Sequence, residues 1–296
     1  MKRILKDLLL LPLLLAASYA RAVSKVWPSA GYFWSDRSYA QARALSTDVT
    51  HPRPGGRDVR MTFFIPNEVC RYRAETFSVK EPETLEWIDR FGGAGAFFDV
   101  GANVGLYSIY YAKTQPGRVY AFEPSVLNLG LLARNVSANE LASRIVIVPN
   151  PLTSENQVAA FHMTMLDEGG AMSTFGAEVG HDGASIHSRM DYETTGMSLD
   201  FLIASGVVPE LPSMLKIDVD GIEHLVLRGA TETLRSPCLR TILIEVNDDY
   251  RELAEDVSAL LEGAGFQLAE RRQASMVAAG AFASTFNQIW VRRDAS

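Results

Sequence analysis

The stretch FFDVGANVGLYS, residues 97–108, decides the fold. An apolar run ends on Asp99, two glycines follow at Gly101 and Gly105, and apolar residues then return. This order predicts a buried strand, a tight backbone turn and a helix, the arrangement that binds nucleoside cofactors at the carboxyl end of a wound sheet. Gly101 lets the chain turn sharply, and Gly105 allows the cofactor or the following helix to approach closely.

Strand-like and helix-like segments alternate along the chain from this turn onward. The predicted strands are AFFDV (96–100), RVYAFE (118–123), RIVIVP (144–149), MLKIDVD (214–220), LRTILIEV (239–246), FQLAER (266–271) and FNQIWVRR (286–293). Helices are predicted at 104–113, 125–137, 221–230 and 251–263. This alternation predicts an α/β fold with a doubly wound, mostly parallel seven-stranded sheet, in which the last two strands form an antiparallel hairpin at one edge.

Two regions depart from this alternation. Before it, MTFFIP and YRAETF predict short strands, and EPETLEWIDRFG predicts a helix. Within it, residues 150–200 contain one strand-like run, QVAAFHM, and a Gly- and Ser-rich segment with His181 and His187. A long insertion of this kind indicates a mobile loop or a substrate-binding lid, and its histidines are expected to be solvated.

Composition limits the possible functions. The 296 residues fit one large domain, 61–296, preceded by an N-terminal extension, 1–60, that contains an apolar helix and an irregular linker. The net charge of -7 is unfavourable for nucleic-acid binding, which needs basic patches. Cys70 and Cys238 have no metal-ligand spacing and are expected to be reduced thiols of an intracellular protein.

The first 22 residues have two interpretations. Basic residues precede an apolar run from Leu8 to Ala17, and Ala20 and Ala22 form an A-x-A-like site, as in a secretory signal peptide. The run is shorter than the roughly 20 apolar residues of a membrane-spanning helix. The alternative is a retained helix that packs on the protein or makes a peripheral membrane contact through residues 4–20.

Residues around the turn discriminate among nucleoside cofactors. Glu123 ends the next strand, where an acidic side chain can accept hydrogen bonds from both ribose hydroxyls. The middle glycine of a dinucleotide fingerprint is replaced by Asn103, and Asp99 would repel a pyrophosphate while attracting a cation. These features favour S-adenosylmethionine over NAD or FAD. The alternative is a structural turn in which Asp99 only caps the following helix.

The sequence resembles that of FkbM-type S-adenosylmethionine-dependent methyltransferases. The residues that carry the resemblance are KEPETLEWIDRF (80–91), FFDVGANVGLYSIYYAK (97–113), VYAFEPS (119–125), SLDFL (198–202), LKIDVDGIEHLVLRGA (215–230) and ILIEVN (242–247). The resemblance covers roughly residues 61–292. It implies a class I, Rossmann-like methyltransferase fold and a cofactor site at Asp99, Gly101, Ala102, Asn103, Gly105 and Glu123. It also implies methyl transfer to a hydroxyl, often of a sugar or secondary metabolite.

A second group of polar residues follows the strand at 214–220. Lys216, Asp218 and Asp220 alternate and would share one face, and His224 lies in the first turn of the next helix. Methyl transfer to an alcohol needs an oriented oxygen and a group that removes its proton. Asp218 is the first candidate for that role and His224 the second, with Lys216 orienting the acceptor or pairing with a carboxylate. The alternative is a salt-bridged rim without a catalytic role.

The same strand ends carry a set of possible metal ligands. Asp218, Asp220, Glu245 and Asn247 offer oxygen donors that suit a hard cation such as Mg²⁺. Mg²⁺ is compatible with this set but is not expected.

The sequence therefore predicts a cytoplasmic, S-adenosylmethionine-dependent O-methyltransferase with a small-molecule or glycan acceptor. The rival functions are a nicotinamide-dependent oxidoreductase and a catalytically silent cofactor-binding module. Membrane association and secretion are the alternatives for location, and the acceptor and oligomeric state are not specified.

Overall fold

A computed structural model describes residues 2–53, 56–273 and 282–293, without the side chains of residues 2–10 and 30. The chain divides into two compact units, Met1–Ser46 and Thr47–Ser296. The predicted boundary was residue 60, but strand β1 (Ser46–His51) pairs with strand β2 (Val59–Phe64) and joins the second unit.

The first unit consists of two helices, α1 (Lys2–Val26) and α2 (Pro28–Ala44). Helix α1 contains Pro12, and α2 begins with Pro28, where the missing N–H costs nothing. The part of residues 1–60 that was predicted to be an irregular linker therefore contains α2 and β1 instead. Among the described residues, no helix is both long enough and apolar enough to cross a membrane.

The second unit contains the remaining elements. Its helices are α3 (Glu68–Glu75), α4 (Phe77–Lys80), α5 (Pro82–Phe91), α6 (Leu106–Thr114), α7 (Val126–Ala138), α8 (Leu199–Ala204), α9 (Glu223–Arg228), α10 (Thr231–Arg235) and α11 (Arg251–Gly263). Its further strands are β3 (Ala96–Val100), β4 (Val119–Phe122), β5 (Ile145–Val148), β6 (Gln157–Met163), β7 (Thr174–Phe175), β8 (Met190–Gly196), β9 (Pro212–Ile217), β10 (Thr241–Asn247), β11 (Phe266–Arg272) and β12 (Thr285–Arg292).

Seven strands form the predicted sheet, in the order β11-β12-β10-β9-β3-β4-β5. Strands β10, β9, β3, β4 and β5 are parallel, and β12 runs antiparallel to both of its neighbours. The predicted doubly wound sheet with an antiparallel edge hairpin is thereby confirmed. The predicted strand over YRAETF is wrong, because Asn67 accepts a hydrogen bond from the Cys70 amide and starts helix α3 there.

Side-chain alternation gives the sheet two different faces. Phe97, Met214 and Leu243 pack into the core under α5, α6 and α7. The residues adjacent to them in sequence point to the other face and pack into the core under α8 to α11. Two residues further along these strands come Asp99, Lys216 and Glu245. These three ionisable residues therefore lie on the α5–α6 face, at the carboxyl ends of neighbouring strands.

Residues 150–200 are more ordered than the predicted loop. Strands β7, β6 and β8 form a separate antiparallel sheet in that order. QVAAFHM is β6, as predicted. Phe161 and Phe175 of this sheet pack with Ile222, so the insertion lies beside the carboxyl end of β9.

Candidate cofactor and acceptor site

The turn after β3 fits tightly against the end of β9. Gly101 has a φ of +83°, and a Cβ atom there would lie 1.8 Å from the carbonyl oxygen of Asp218. Asn103 also has a positive φ, 51°, which asparagine tolerates better than most residues. Gly101 is therefore required both by its conformation and by the approach of Asp218.

The backbone amides of this turn donate to acceptors within the protein. The amides of Gly101 and Ala102 both donate to the Phe122 carbonyl at 3.0 Å, and the Gly105 amide donates to the Ala102 carbonyl at 2.8 Å. The Asn103 amide donates to Glu123 Oε2 at 2.7 Å. These four N–H groups are already engaged, unlike those of a phosphate-binding turn, which point at the ligand.

Glu123 lies directly after β4 and is held by several donors. Its Oε1 atom accepts from the Ser125 amide at 2.9 Å and from Asn128 Nδ2 at 3.3 Å, and its Oε2 atom accepts from Asn103. Burial raises the pKa of Glu123 to about 7, and the amide hydrogen bonds only partly offset this effect. The carboxyl group therefore titrates near neutrality.

A smaller cavity extends from Glu123 along the ends of β4 and β5. Its empty volume, including the part open to solvent, is about 580 Å³. Its lining includes Phe122, Glu123, Pro124, Asn150, Leu152, Phe161 and Phe175. Apolar rings and a few polar groups together suit a nucleoside, whose base is flat and whose sugar is polar.

A larger cavity lies on the α5–α6 face of the sheet, with an empty volume of about 1510 Å³. Its apolar lining includes Val69, Tyr72, Phe77, Leu106, Tyr107, Met165 and Met172. The two cavities share Gly101, Asn103, Ala171, Asp218 and Asp220. A ligand in the smaller cavity would therefore meet a ligand in the larger one beside Gly101 and Asp218.

Lys216, which is buried, and Asp218, which is partly exposed, form an ion pair at this junction. Lys216 Nζ lies 2.7 Å from Asp218 Oδ2, and the side chain of Lys216 is 1% exposed. Burial would lower the pKa of Lys216, but the negative charges of Asp218 and other nearby carboxylates outweigh burial and raise it. Lys216 therefore stays an ammonium and orients Asp218.

A second ion pair, between Lys80 and Glu81, borders the same cavity. Lys80 Nζ lies 2.6 Å from Glu81 Oε1, and Oε2 of Glu81 is buried without a partner among the described residues. Burial alone would raise the pKa of Glu81, but Lys80 and Lys216 lower it to about 2. Glu81 thus remains ionised, and it contributes charge to the cavity.

Two further carboxyl groups, those of Asp220 and Glu245, line the same cavity. Burial and then the charge of Asp218 raise the pKa of Asp220 to about 6 and that of Glu245 well above its usual range. Oxygen atoms of Asp218, Asp220 and Glu245 lie within 4.8 Å of one another, a spacing compatible with one cation. Met172 already donates its amide to Asp220 Oδ2 at 2.6 Å.

Four predicted site residues lie away from both cavity linings within the described part of the chain. Asp99 accepts a hydrogen bond from Ser108 Oγ at 2.6 Å behind the turn, and Gly105 begins α6. His224 is half-buried on α9, and burial followed by the charge of Arg228 lowers its pKa. The fourth residue, Asn247, uses its Oδ1 atom to accept from the Asp249 amide at 3.0 Å.

Sequence reasoning missed the residues that complete the site from other elements. Asn128 on α7 donates to Glu123 and to the Gly170 carbonyl, and Asn150 follows β5. Lys80 and Glu81 stood at the start of a motif but received no role. Such residues could have been found by looking for a polar residue at a helix position that the apolar periodicity predicts to be buried. Asn128 is an example.

A comparison of the sequence with models of protein families assigns this chain to a family. The model described as the methyltransferase FkbM domain matches residues 99–268, more than half of the chain. The chain belongs to the FkbM methyltransferase family. The resemblance stated from the sequence is confirmed, and the protein is a methyltransferase.

Relatives of this FkbM-family methyltransferase carry methyltransferase names. It is 28% identical over 192 residues to 31-O-demethyl-FK506 methyltransferase FkbM of Streptomyces tacrolimicus, covering 57% of this chain and 71% of the relative. It is 26% identical over 167 residues to hexuronic acid methyltransferase AglP of Haloferax volcanii, covering 56% of this chain and 61% of the relative.

Among solved structures, methyltransferase FkbM of Methylobacillus flagellatus is similar to this FkbM-family chain. The TM-score is 0.45 at 15% sequence identity. The match covers 67% of this chain but spans only 44% of that chain's length.

Proposed function

We propose that this methyltransferase uses S-adenosylmethionine and methylates a hydroxyl oxygen of a sugar, glycan or secondary metabolite. The observation that carries the proposal is the hydrogen-bonding character of the turn after β3. Its amides at Gly101, Ala102, Asn103 and Gly105 donate within the protein. The side chains at the cavity junction add acceptors and negative charge, which favours a cationic ligand over a diphosphate.

The acceptor groups of the smaller cavity suit the donor groups of this cofactor. Glu123 Oε1 already accepts two hydrogen bonds, but Oε2 accepts only one, from the Asn103 amide, so its second lone pair can accept from a ribose hydroxyl. Asn103 Oδ1 is buried without a partner in the described chain, and it lines both cavities. This orphaned acceptor fits the cofactor's ammonium group. When bound, the cofactor supplies an electrophilic methyl group on a sulfonium.

On the acceptor side, Asp218 accepts the proton of the substrate hydroxyl or orients that hydroxyl. Its position between the cavities and its pairing with Lys216 support this role. The cofactor's sulfur leaves as a neutral thioether and needs no proton. The protein's contribution is therefore to orient the two ligands and to accept one proton from the hydroxyl. The names of the two relatives, which specify 31-O-demethyl-FK506 and hexuronic acid, support a small-molecule or sugar acceptor.

Isothermal calorimetry with S-adenosylhomocysteine tests the cofactor assignment. The wild type should bind it and should not bind NADH. Glu123→Ala should weaken binding about tenfold to a hundredfold, because hydrogen bonds to a carboxylate are lost. Glu210→Ala is the matched control, because Glu210 also accepts two side-chain hydrogen bonds but lies outside both cavity linings.

Other outcomes would favour the rival functions. Binding of NADH without S-adenosylhomocysteine would indicate an oxidoreductase. Cofactor binding without methyl transfer to any compound in a broad set of alcohols and sugars would indicate a silent module. We also infer a cytoplasmic location, because S-adenosylmethionine is an intracellular cofactor.

A further inference from the structure

The N-terminal unit has almost no core of its own. Among its described side chains, 11–29 and 31–46, only Gly31 is buried. A Cβ atom at Gly31 would lie 1.9 Å from Ser24 Oγ, so α1 and α2 approach closely at this one place. Most of the large apolar side chains that the structure describes in these helices are exposed, and soluble proteins rarely keep extended apolar surface.

The exposed apolar residues of α1 surround the helix. Leu13, Leu14 and Leu15 are 65%, 61% and 62% exposed. Consecutive residues are about 100° apart around a helix, so three exposed leucines in a row cover most of its circumference. An apolar surface this wide suits a fluid apolar medium better than a single groove in a protein.

The large exposed apolar residues of α2 and of the junction before it are all aromatic. They are Trp27, Tyr32, Phe33, Trp34 and Tyr39. Arg37 lies over the Phe33 ring and Arg43 over the Tyr39 ring. Aromatic rings with polar edges and adjacent guanidinium groups are typical of the boundary between lipid headgroups and acyl chains.

The N-terminal unit differs from the rest of the chain in the sign of its net charge. Residues 1–46 contain seven Lys or Arg and two Asp, a net charge of +5, so the other 250 residues carry −12. Lys2, Arg3 and Lys6 precede the apolar run of α1, and Arg21 and Lys25 follow it. The N-terminal unit therefore carries the net positive charge that an anionic surface attracts, whereas the rest of the chain carries a net negative charge.

We propose that α1 and α2 dock on a lipid membrane surface that contains anionic lipids, with the aromatic residues at the headgroup level. The apolar surface of α1 enters the membrane boundary, and the basic residues at both ends contact lipid phosphates. The inference is independent of the proposed cofactor and acceptor. Its effect is to hold the enzyme at the surface where a lipid-linked or poorly soluble acceptor would be found.

Flotation of the full-length protein with vesicles tests the inference. The protein should float with vesicles of phosphatidylcholine and phosphatidylglycerol, and affinity should fall about tenfold or more with phosphatidylcholine alone or at high salt. The paired change Arg21→Glu and Lys25→Glu should reproduce the loss. Arg235→Glu, on an exposed residue of the second unit, is the charge control.

The aromatic contribution is tested separately. Trp27→Ser with Trp34→Ser should weaken vesicle binding about tenfold or more, because two interfacial anchors are removed. Val158→Ser with Val207→Ser is the control, because these side chains are 66% and 63% exposed on the second unit. An unchanged thermal unfolding midpoint would show that each variant remains folded.

Tryptophan fluorescence locates the contact. The other two tryptophans, Trp87 and Trp290, are buried at 1% and 2% exposure. Brominated lipid should therefore quench only the emission of Trp27 and Trp34, and Trp27→Phe with Trp34→Phe should remove the quenching while retaining binding.

Three results would overturn the inference. They are absence of flotation with both kinds of vesicle, a discrete dimer that forms through these helices in place of vesicle binding, and a mature protein from cells that begins after Ala22. The last result would identify α1 as a cleaved signal peptide.

Discussion

The two cavities that meet at Gly101 and Asp218 are built by different means. The smaller one is shaped mainly by backbone, through a positive-φ turn, engaged amides and one carboxyl group at Glu123. The larger one is shaped by ionisable side chains from several elements, among them Glu81 and Lys216. From this difference we expect backbone geometry to govern cofactor affinity and the buried charges to govern turnover.

The largest expected effect belongs to Asp218→Asn. Turnover should fall about 10²- to 10⁴-fold, because a positioned proton acceptor is lost. Affinity for S-adenosylhomocysteine should change by about threefold or less, because the interaction serves the reaction more than ground-state binding. Asp256→Asn is the control, since Asp256 forms a comparable ion pair with Arg228 outside the site. Wild-type turnover in Asp218→Asn would remove Asp218 from the chemistry.

The next largest effect concerns the backbone conformation at Gly101. Gly101→Ala should lower the free energy of unfolding by about 3 kcal/mol, because left-handed strain adds to the clash with the Asp218 carbonyl. Gly206→Ala should cost only about 1 kcal/mol, since Gly206 has a φ of +75° in open space. Urea denaturation measures both values. Equal losses in the two variants would show that the approach of Asp218 is unimportant.

The pH dependence of cofactor binding isolates Glu123. Its pKa of about 7 means that the carboxylate, the form that we propose accepts ribose hydroxyls, predominates above that pH and is protonated below it. Affinity for S-adenosylhomocysteine should therefore fall about fourfold from about pH 8 to about pH 6.5, as the ionised fraction falls. Calorimetry on Glu123→Gln should show a flat profile. A profile as steep as that of the wild type would assign the titration to another group.

The smallest expected effect concerns the larger cavity and metal ions. Treatment with EDTA should leave the rate of methyl transfer unchanged, because the Lys216 ammonium already neutralises Asp218 at 2.7 Å. Adding Mg²⁺ should likewise have no effect. A large loss of the methyl-transfer rate with EDTA that Mg²⁺ restores would identify Asp218, Asp220 and Glu245 as a metal site. It would then be a metal ion, and not an ion pair of side chains, that organises the larger cavity.

The sequence predicted the sheet well because its signals are local. Apolar runs that end in Asp99 and Glu123 mark buried strands, and β3 and β6 coincide with the predicted segments. The turn after β3 could be predicted because its backbone needs a positive φ, which favours glycine, at position 101. Family resemblance then supplied the cofactor hypothesis.

The remaining features depend on tertiary contacts that have no local pattern. Lys80 and Glu81 reach the larger cavity only because α5 covers the face that bears Lys216. Asp99 is a polar strand end like Glu123, but Ser108 of the following helix binds it behind the turn. His224 follows a site-forming strand in sequence, yet α9 places it beside Arg228. Proximity along the chain therefore did not predict proximity in space.

A crystal structure with bound S-adenosylhomocysteine tests the central claim most directly. The account predicts the ribose hydroxyls within hydrogen-bonding distance of Glu123, the nucleoside in the smaller cavity, and the sulfur facing Asp218 and the larger cavity. A nucleoside bound elsewhere, or a sulfur that faces away from Asp218, would contradict it.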